Sequence, residues 1–149
     1  MTDTRELILS QLLTIAKKVT PAAKRMEFGA SSDDNPALML IDGEESILSS
    51  DPFAHQSEYT HKIQMDPHFV LMLQTSERAG PLMNKIRAQL VKAVLSDETL
   101  KNLTGNQSGS TKVGARYMGC ETGVQMGEGL VGVMTLRFSL IYVMKPSNL

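Results

Sequence analysis

The stretch Val133-Met-Thr-Leu-Arg-Phe-Ser-Leu-Ile-Tyr-Val143 decides the fold class. Successive side chains of a strand point to opposite faces, so Met134, Leu136, Phe138, Leu140 and Tyr142 share one side and Thr135, Arg137 and Ser139 the other. Eleven residues at ~3.3 Å each span about 36 Å, roughly twice a usual strand. One strand of that length crosses most of a small domain and implies a sheet-based framework.

Working back from it, Glu121–Gly129 reads as a glycine-bearing connection and Gly114–Cys120 as a strand. Gly105–Gly109 reads as a loop. Asp97–Leu103 reads as a short helix capped by Ser96. Before it, Leu82, Met83, Ile86, Leu90, Val91 and Val94 form the apolar stripe of a longer helix opened by Gly80-Pro81. Thr60–Gln74 has strand character, with a bulge or sheet edge expected at Pro67, which lacks an N–H for the ladder. Glu44–Tyr59 is polar and aperiodic and reads as a long loop. Ala37–Ile41 is an apolar strand ending at the turn signal Asp42-Gly43. Gly29–Pro36 is turn-rich, and Lys24–Phe28 is a short strand. The first helix runs from about residue 3 to 19. Ile8, Leu12, Ile15, Ala16 and Val19 form its apolar face, Thr2 or Asp3 its cap and Pro21 its stop. With Asp3 as cap, Glu6 is placed to complete a capping box. The order α-β-β-β-α-(α)-β-β predicts an α+β fold: a mostly antiparallel sheet, two main helices packed on one face, and a long C-terminal strand.

The 149 residues fit one domain, 1–149, with 42% apolar and 21% charged residues. A formal charge of −1 gives no overall attraction to nucleic acid or membrane. The single cysteine, Cys120, cannot form an intrachain disulfide and reads as a small buried hydrophobe. Acids near the N-terminus and the absence of a ~20-residue apolar run predict a soluble, cytoplasmic chain without a membrane partner. The ten methionines read mainly as core filler.

Motifs for catalysis lack the context their chemistry needs. Gly127-Glu-Gly129-Leu-Val-Gly132 matches G-x-G-x-x-G, but a strand follows where a helix must receive the pyrophosphate, so a hairpin turn is expected. In Gly105-Asn-Gln-Ser-Gly109-Ser-Thr-Lys112 the lysine follows the hydroxyl residues, the reverse of a P-loop. His55, His61 and His68 lack the close spacing of a zinc site, and His61 and His68 fall on opposite faces of an unbroken strand. Ser108 lacks glycines at the offsets of a nucleophile elbow. The pairs Asp33-Asp34 and Glu44-Glu45 are adjacent and do not impose the separation of an acid/base pair. No enzyme activity, cofactor or metal is expected.

Charge is segregated along the chain. Residues 26–76 carry nine acids against Lys62 alone, a net of −8, while residues 1–25 and 77–92 each net +3. Arg78, Lys85 and Lys92 are seven apart and share one helical face. An acidic region and a basic face suit head-to-tail pairing of copies, although the same charges can also meet within one molecule. A DNA-facing stripe is the weaker reading, since interleaved aromatics and overall basicity are missing.

Four stretches carry a resemblance. They are Arg5-Glu-Leu-Ile-Leu with Leu12-Leu-Thr-Ile, Pro36-Ala-Leu-Met-Leu-Ile-Asp-Gly-Glu-Glu45, Leu90 with Ala93-Val-Leu-Ser-Asp97, Leu100 and Leu103, and Met134-Thr-Leu-Arg-Phe-Ser-Leu-Ile-Tyr142. In pattern the chain resembles the tail terminator and tail completion proteins of long-tailed bacteriophages, the minor-tail-protein-U-like group. The resemblance implies a ring-forming α+β virion protein, usually hexameric, assembled in the host cytoplasm. Such a ring sits on the head-proximal end of the tail tube, stops tube polymerisation and presents a surface to the head-completion or neck protein. DNA would be only cargo passing through the lumen. For this chain the expected subunit seam places Arg78, Lys85 and Lys92 against Asp42, Glu44, Glu45 and Asp51. Loops 44–59 and 104–113, with Ser50, Phe53, His55, Asn106, Ser108 and Lys112, are the expected tube or neck contacts. The alternatives are a head–tail connector or, in a different class, a small metal- or nucleotide-dependent enzyme.

Overall fold

The computed structural model describes residues 3–26, 35–50, 61–74, 79–104, 114–126 and 130–144. The elements are α1 (Thr4–Val19), β1 (Lys24–Arg25), β2 (Ala37–Ser50), β3 (His61–Gln74), α2 (Ala79–Leu95), α3 (Glu98–Thr104), β4 (Arg116–Met126) and β5 (Leu130–Met144). The five strands form one sheet in the order β1-β2-β3-β5-β4, antiparallel except where β1 joins β2. This is the expected α+β architecture, and the expected order of elements is the order found. No helix among the described residues is long and apolar enough to cross a membrane.

The two-residue period of the last strand decides what the sheet buries. Met134, Leu136, Phe138, Leu140 and Tyr142 are all buried, as are Ile63, Met65, Phe69, Leu71 and Leu73 beside them on β3. Onto this side α1 places Ile8, Leu9, Leu12, Ile15 and Ala16, α2 places Met83, Ile86, Leu90 and Val94, and α3 adds Leu100. All three helices therefore serve one core on one face. At its centre Phe138 meets Phe69 edge-on, with ring centroids 5.9 Å apart, and Tyr117 at 5.6 Å.

Local chemistry sets the helix ends. The Asp3 carboxylate accepts from the Arg5 N–H at 3.2 Å, capping α1, and Thr20 N–H closes the last turn on Ala16 at 2.8 Å. Glu6 does not complete a capping box; its carboxylate is taken by Arg25. The cap of α3 is Asp97, whose carboxylate accepts from Leu100 N–H at 2.9 Å, and not Ser96, which bonds back to the Lys92 carbonyl. Serine lies one residue too early for that role.

The sheet is larger than the sequence pattern indicates. β2 continues from Ile41 through Ser50, so the expected loop at Glu44–Tyr59 is strand over its first seven residues. A bulge between Ile41 and Glu44 carries the strand past the turn signal. Gly43 sits there at φ +74°, its backbone against the Asp66 carbonyl, so close that an added Cβ would overlap that oxygen. The disturbance expected at Pro67 thus appears on the neighbouring strand, and β3 itself is central, not an edge. β4 extends through Glu121–Met126, residues expected to form a connection, and is kinked by a bulge between Tyr117 and Gly119. Asn35 pins the start of β2 to the end of β3: its side chain donates to the Gln74 carbonyl at 2.6 Å and accepts from Gln74 N–H at 3.0 Å.

Candidate assembly surfaces

The helices leave one whole side of the sheet without a covering element among the described residues. Met39 and Ile41 on β2, Val70 and Met72 on β3, and Val131, Val133, Ile141 and Val143 on β5 are half-buried there, screened by one another and not by a second layer. His68, Asp66, Thr135 and exposed Arg137 interrupt the apolar residues, and Arg137 donates to Glu121 on β4 at 3.0 Å. A shallow recess of about 290 Å³ lies at the β4 side, lined by Glu121, Thr122, Gly123, Val124, Val133 and Thr135.

Both edges of the sheet are open among the described residues. β1 pairs with β2 only at Met39 and Leu40, with one more bond from Met26 N–H to the Leu40 carbonyl, so β2 beyond that point pairs with β3 alone. β4 pairs only with β5. Among the described residues these edges carry the four most exposed large apolar side chains: Val124 at 66%, Ile47 at 62%, Met118 at 60% and Leu48 at 47%. Exposed apolar side chains beside unpaired backbone donors and acceptors are what edge strands normally avoid.

Between α1 and β2 lies an ordered charge cluster. Arg25 grips Asp42 with two parallel bonds, Nε to Oδ1 at 2.9 Å and Nη2 to Oδ2 at 2.8 Å, and its remaining nitrogen reaches Glu6. These bonds hold the carboxyl groups of Asp42 and Glu6 below the usual carboxylate range and push Arg25 further up. One step along, Arg5 stands 3.8 Å from Glu45, and the buried Tyr142 hydroxyl donates to the same carboxylate. Burial, with the bond to Glu45 second, pushes the Tyr142 phenol up. The cluster ties β1, α1 and the bulged part of β2 together.

The residues expected at a subunit seam are distributed unequally. Asp42 and Glu45 face cations of their own molecule, Arg25 and Arg5. Glu44 is exposed, and Lys85 and Lys92 are exposed on the side of α2 opposite Met83, Ile86 and Leu90. Ser50 ends β2, while Arg78, Asp51, Phe53, His55, Asn106, Ser108 and Lys112 lie outside the described residues. Cys120 is exposed on β4, not buried. Its strand is outermost in the sheet among the described residues, so no described strand covers its outer side. Burial pushes the nearby Tyr117 phenol up. Among the described residues no three His, Cys, Asp or Glu side chains are grouped to hold a metal ion.

No protein-family model matches the chain, and no curated protein matches it.

Proposed function

We propose that this chain is a structural ring subunit of a phage tail, a tail terminator that occupies the head-proximal end of the tube and stops its growth. One observation carries the reading. Among the described residues the sheet has four long antiparallel strands, apolar edges with no strand partner on either side and a face that no element covers, which fits a subunit completed by its neighbours. The α+β fold agrees with what the sequence resemblance implies. Glu44, Lys85 and Lys92 are the charged contacts we assign to neighbouring molecules in that assembly. The action would be steric: one ring face copies enough of the tube contact to bind, and the other lacks the contact needed for extension.

The test is to add purified protein to polymerising tube subunits of the same phage and measure tube lengths by electron microscopy. A terminator shortens the length distribution and appears as a cap at one end. Unchanged lengths with no end-bound density contradict the proposal. Binding to tailless filled heads and not to tubes would assign the neck-connector role instead.

A further inference from the structure

We infer that copies of this chain join edge to edge, the part of β2 beyond Asp42 in one copy pairing with β4 of the next, so that their sheets run on as one antiparallel sheet. This names the joint of the ring proposed above and depends on that proposal only for closure.

The strand directions carry the inference. From β2 through β3 and β5 to β4 every neighbouring pair is antiparallel, so the four long strands alternate and the two outer ones run in opposite senses. When copies are related by rotation about a common axis, the β4 edge of one meets the β2 edge of the next in the antiparallel sense. Strand alternation then continues without a break. An odd number of long strands would present two edges of the same direction. A heterologous, head-to-tail contact of this type closes into a ring when the rotation allows.

The free lengths also correspond. β4 offers the 11 residues Arg116–Met126, and among the described residues no strand pairs with the outer side of β2 after Leu40 up to Ser50, where the Gly43 carbonyl accepts from the Arg5 side chain at 3.4 Å. Because β1 blocks Met39 and Leu40, an incoming β4 must sit displaced toward Ser50. A stagger at each joint is what tilted strands need to close a cylinder. The side chains agree: exposed Ile47 and Leu48 project from one edge, and exposed Met118 and Val124 from the other. The charges Glu44 and Arg116 and the bulges on both edges discourage pairing with arbitrary chains, as suits edges kept for one partner.

The single native cysteine supplies the test. Cys120 lies opposite Leu136 and so shares the helix-side face of the sheet, the face of Ile47 opposite Ile63. Ser46 points to the other face, and Gln89 lies exposed on α2. Ile47→Cys, Ser46→Cys and Gln89→Cys are each combined with native Cys120, checked for a native circular dichroism spectrum, oxidised mildly and run on non-reducing gels. The joint predicts a ladder of covalent multimers from Ile47→Cys, roughly fivefold or more above the other two variants, since a bridge needs Cα atoms within about 7 Å and converging side chains. No ladder from Ile47→Cys, or equal ladders from Ser46→Cys or Gln89→Cys, overturns it. Tube capping can be scored separately, so a ring built through other surfaces would fail here and still cap.

Discussion

Replacing three glycines by alanine separates two physical terms, because the structure distributes those terms unequally among them. At Gly43 the backbone has φ +74°, and a Cβ would overlap the Asp66 carbonyl oxygen and fall 2.7 Å from its carbon. Left-handed backbone costs an L-residue roughly 1–2 kcal/mol. The contact is with backbone on a central strand, so β2 must move away and release one or two ladder bonds, about 1 kcal/mol each. Gly43→Ala is therefore expected to cost about 2–4 kcal/mol, the sum of both terms. Gly119 has φ +103° but open space around the added carbon, so Gly119→Ala carries strain alone, about 1–2 kcal/mol. At Gly123, neither strain nor contact opposes the methyl. There the lower entropy of the unfolded chain stabilises the protein by about 0.4–1 kcal/mol. Urea unfolding of the three variants and wild type at one protein concentration, with unchanged m-values, gives the ranking. A Gly43→Ala cost no larger than that of Gly119→Ala would refute the close approach of β2 to Asp66.

Arg25→Met removes the cation shared by Asp42 and Glu6 and should cost about 2 kcal/mol at neutral pH, discounted for the partial exposure of all three groups. Asp42 and Glu6 have lowered folded-state pKa values, so their contribution is complete above about pH 5 and fades as pH falls through and below about 4. The gap between wild type and Arg25→Met should close over that range in urea titrations, and a constant gap would contradict the pairing. Tyr142→Phe leaves Glu45 with Arg5 but loses the phenol bond, a cost of roughly 1–2 kcal/mol by the same assay. Phe138→Ala empties the centre of the aromatic cluster and should cost about 3–5 kcal/mol, with loss of near-ultraviolet circular dichroism from Tyr117.

Much of the fold was legible because its signals are local. The alternation from Met134 to Tyr142 names a buried face without reference to any other element, and so does the stripe Leu82, Met83, Ile86, Leu90, Val91 and Val94, except that Leu82 is exposed and Val91 half-buried. The lengths of β2 and β4 were not legible. Gly43 reads as a turn residue, yet it marks a bulge where the strand bends and continues, and Gly123 reads as part of a connection that β4 in fact occupies. Polar residues such as Glu44 and Ser46 are tolerated beyond the bulge because, among the described residues, that part of β2 is an edge. The Arg25–Asp42 bond is invisible in the sequence, since the parallel pairing of β1 with β2 that brings the two together has no pattern of its own. For the same reason the segregated charge could be counted but not apportioned: Asp42 and Glu45 turn inward to α1 and β1, while Lys85 and Lys92 face solvent. Cys120 shows the converse limit, because a small apolar residue in a strand looks alike at an edge and in a core.

The measurement that bears most directly on the account is native mass spectrometry of the purified protein across rising concentration. Assembly into a closed ring predicts one dominant species at a single multiple of the chain mass, sixfold by the resemblance, with no continuing series of larger forms. A species of one chain mass at every concentration, or an unbounded series, would contradict it.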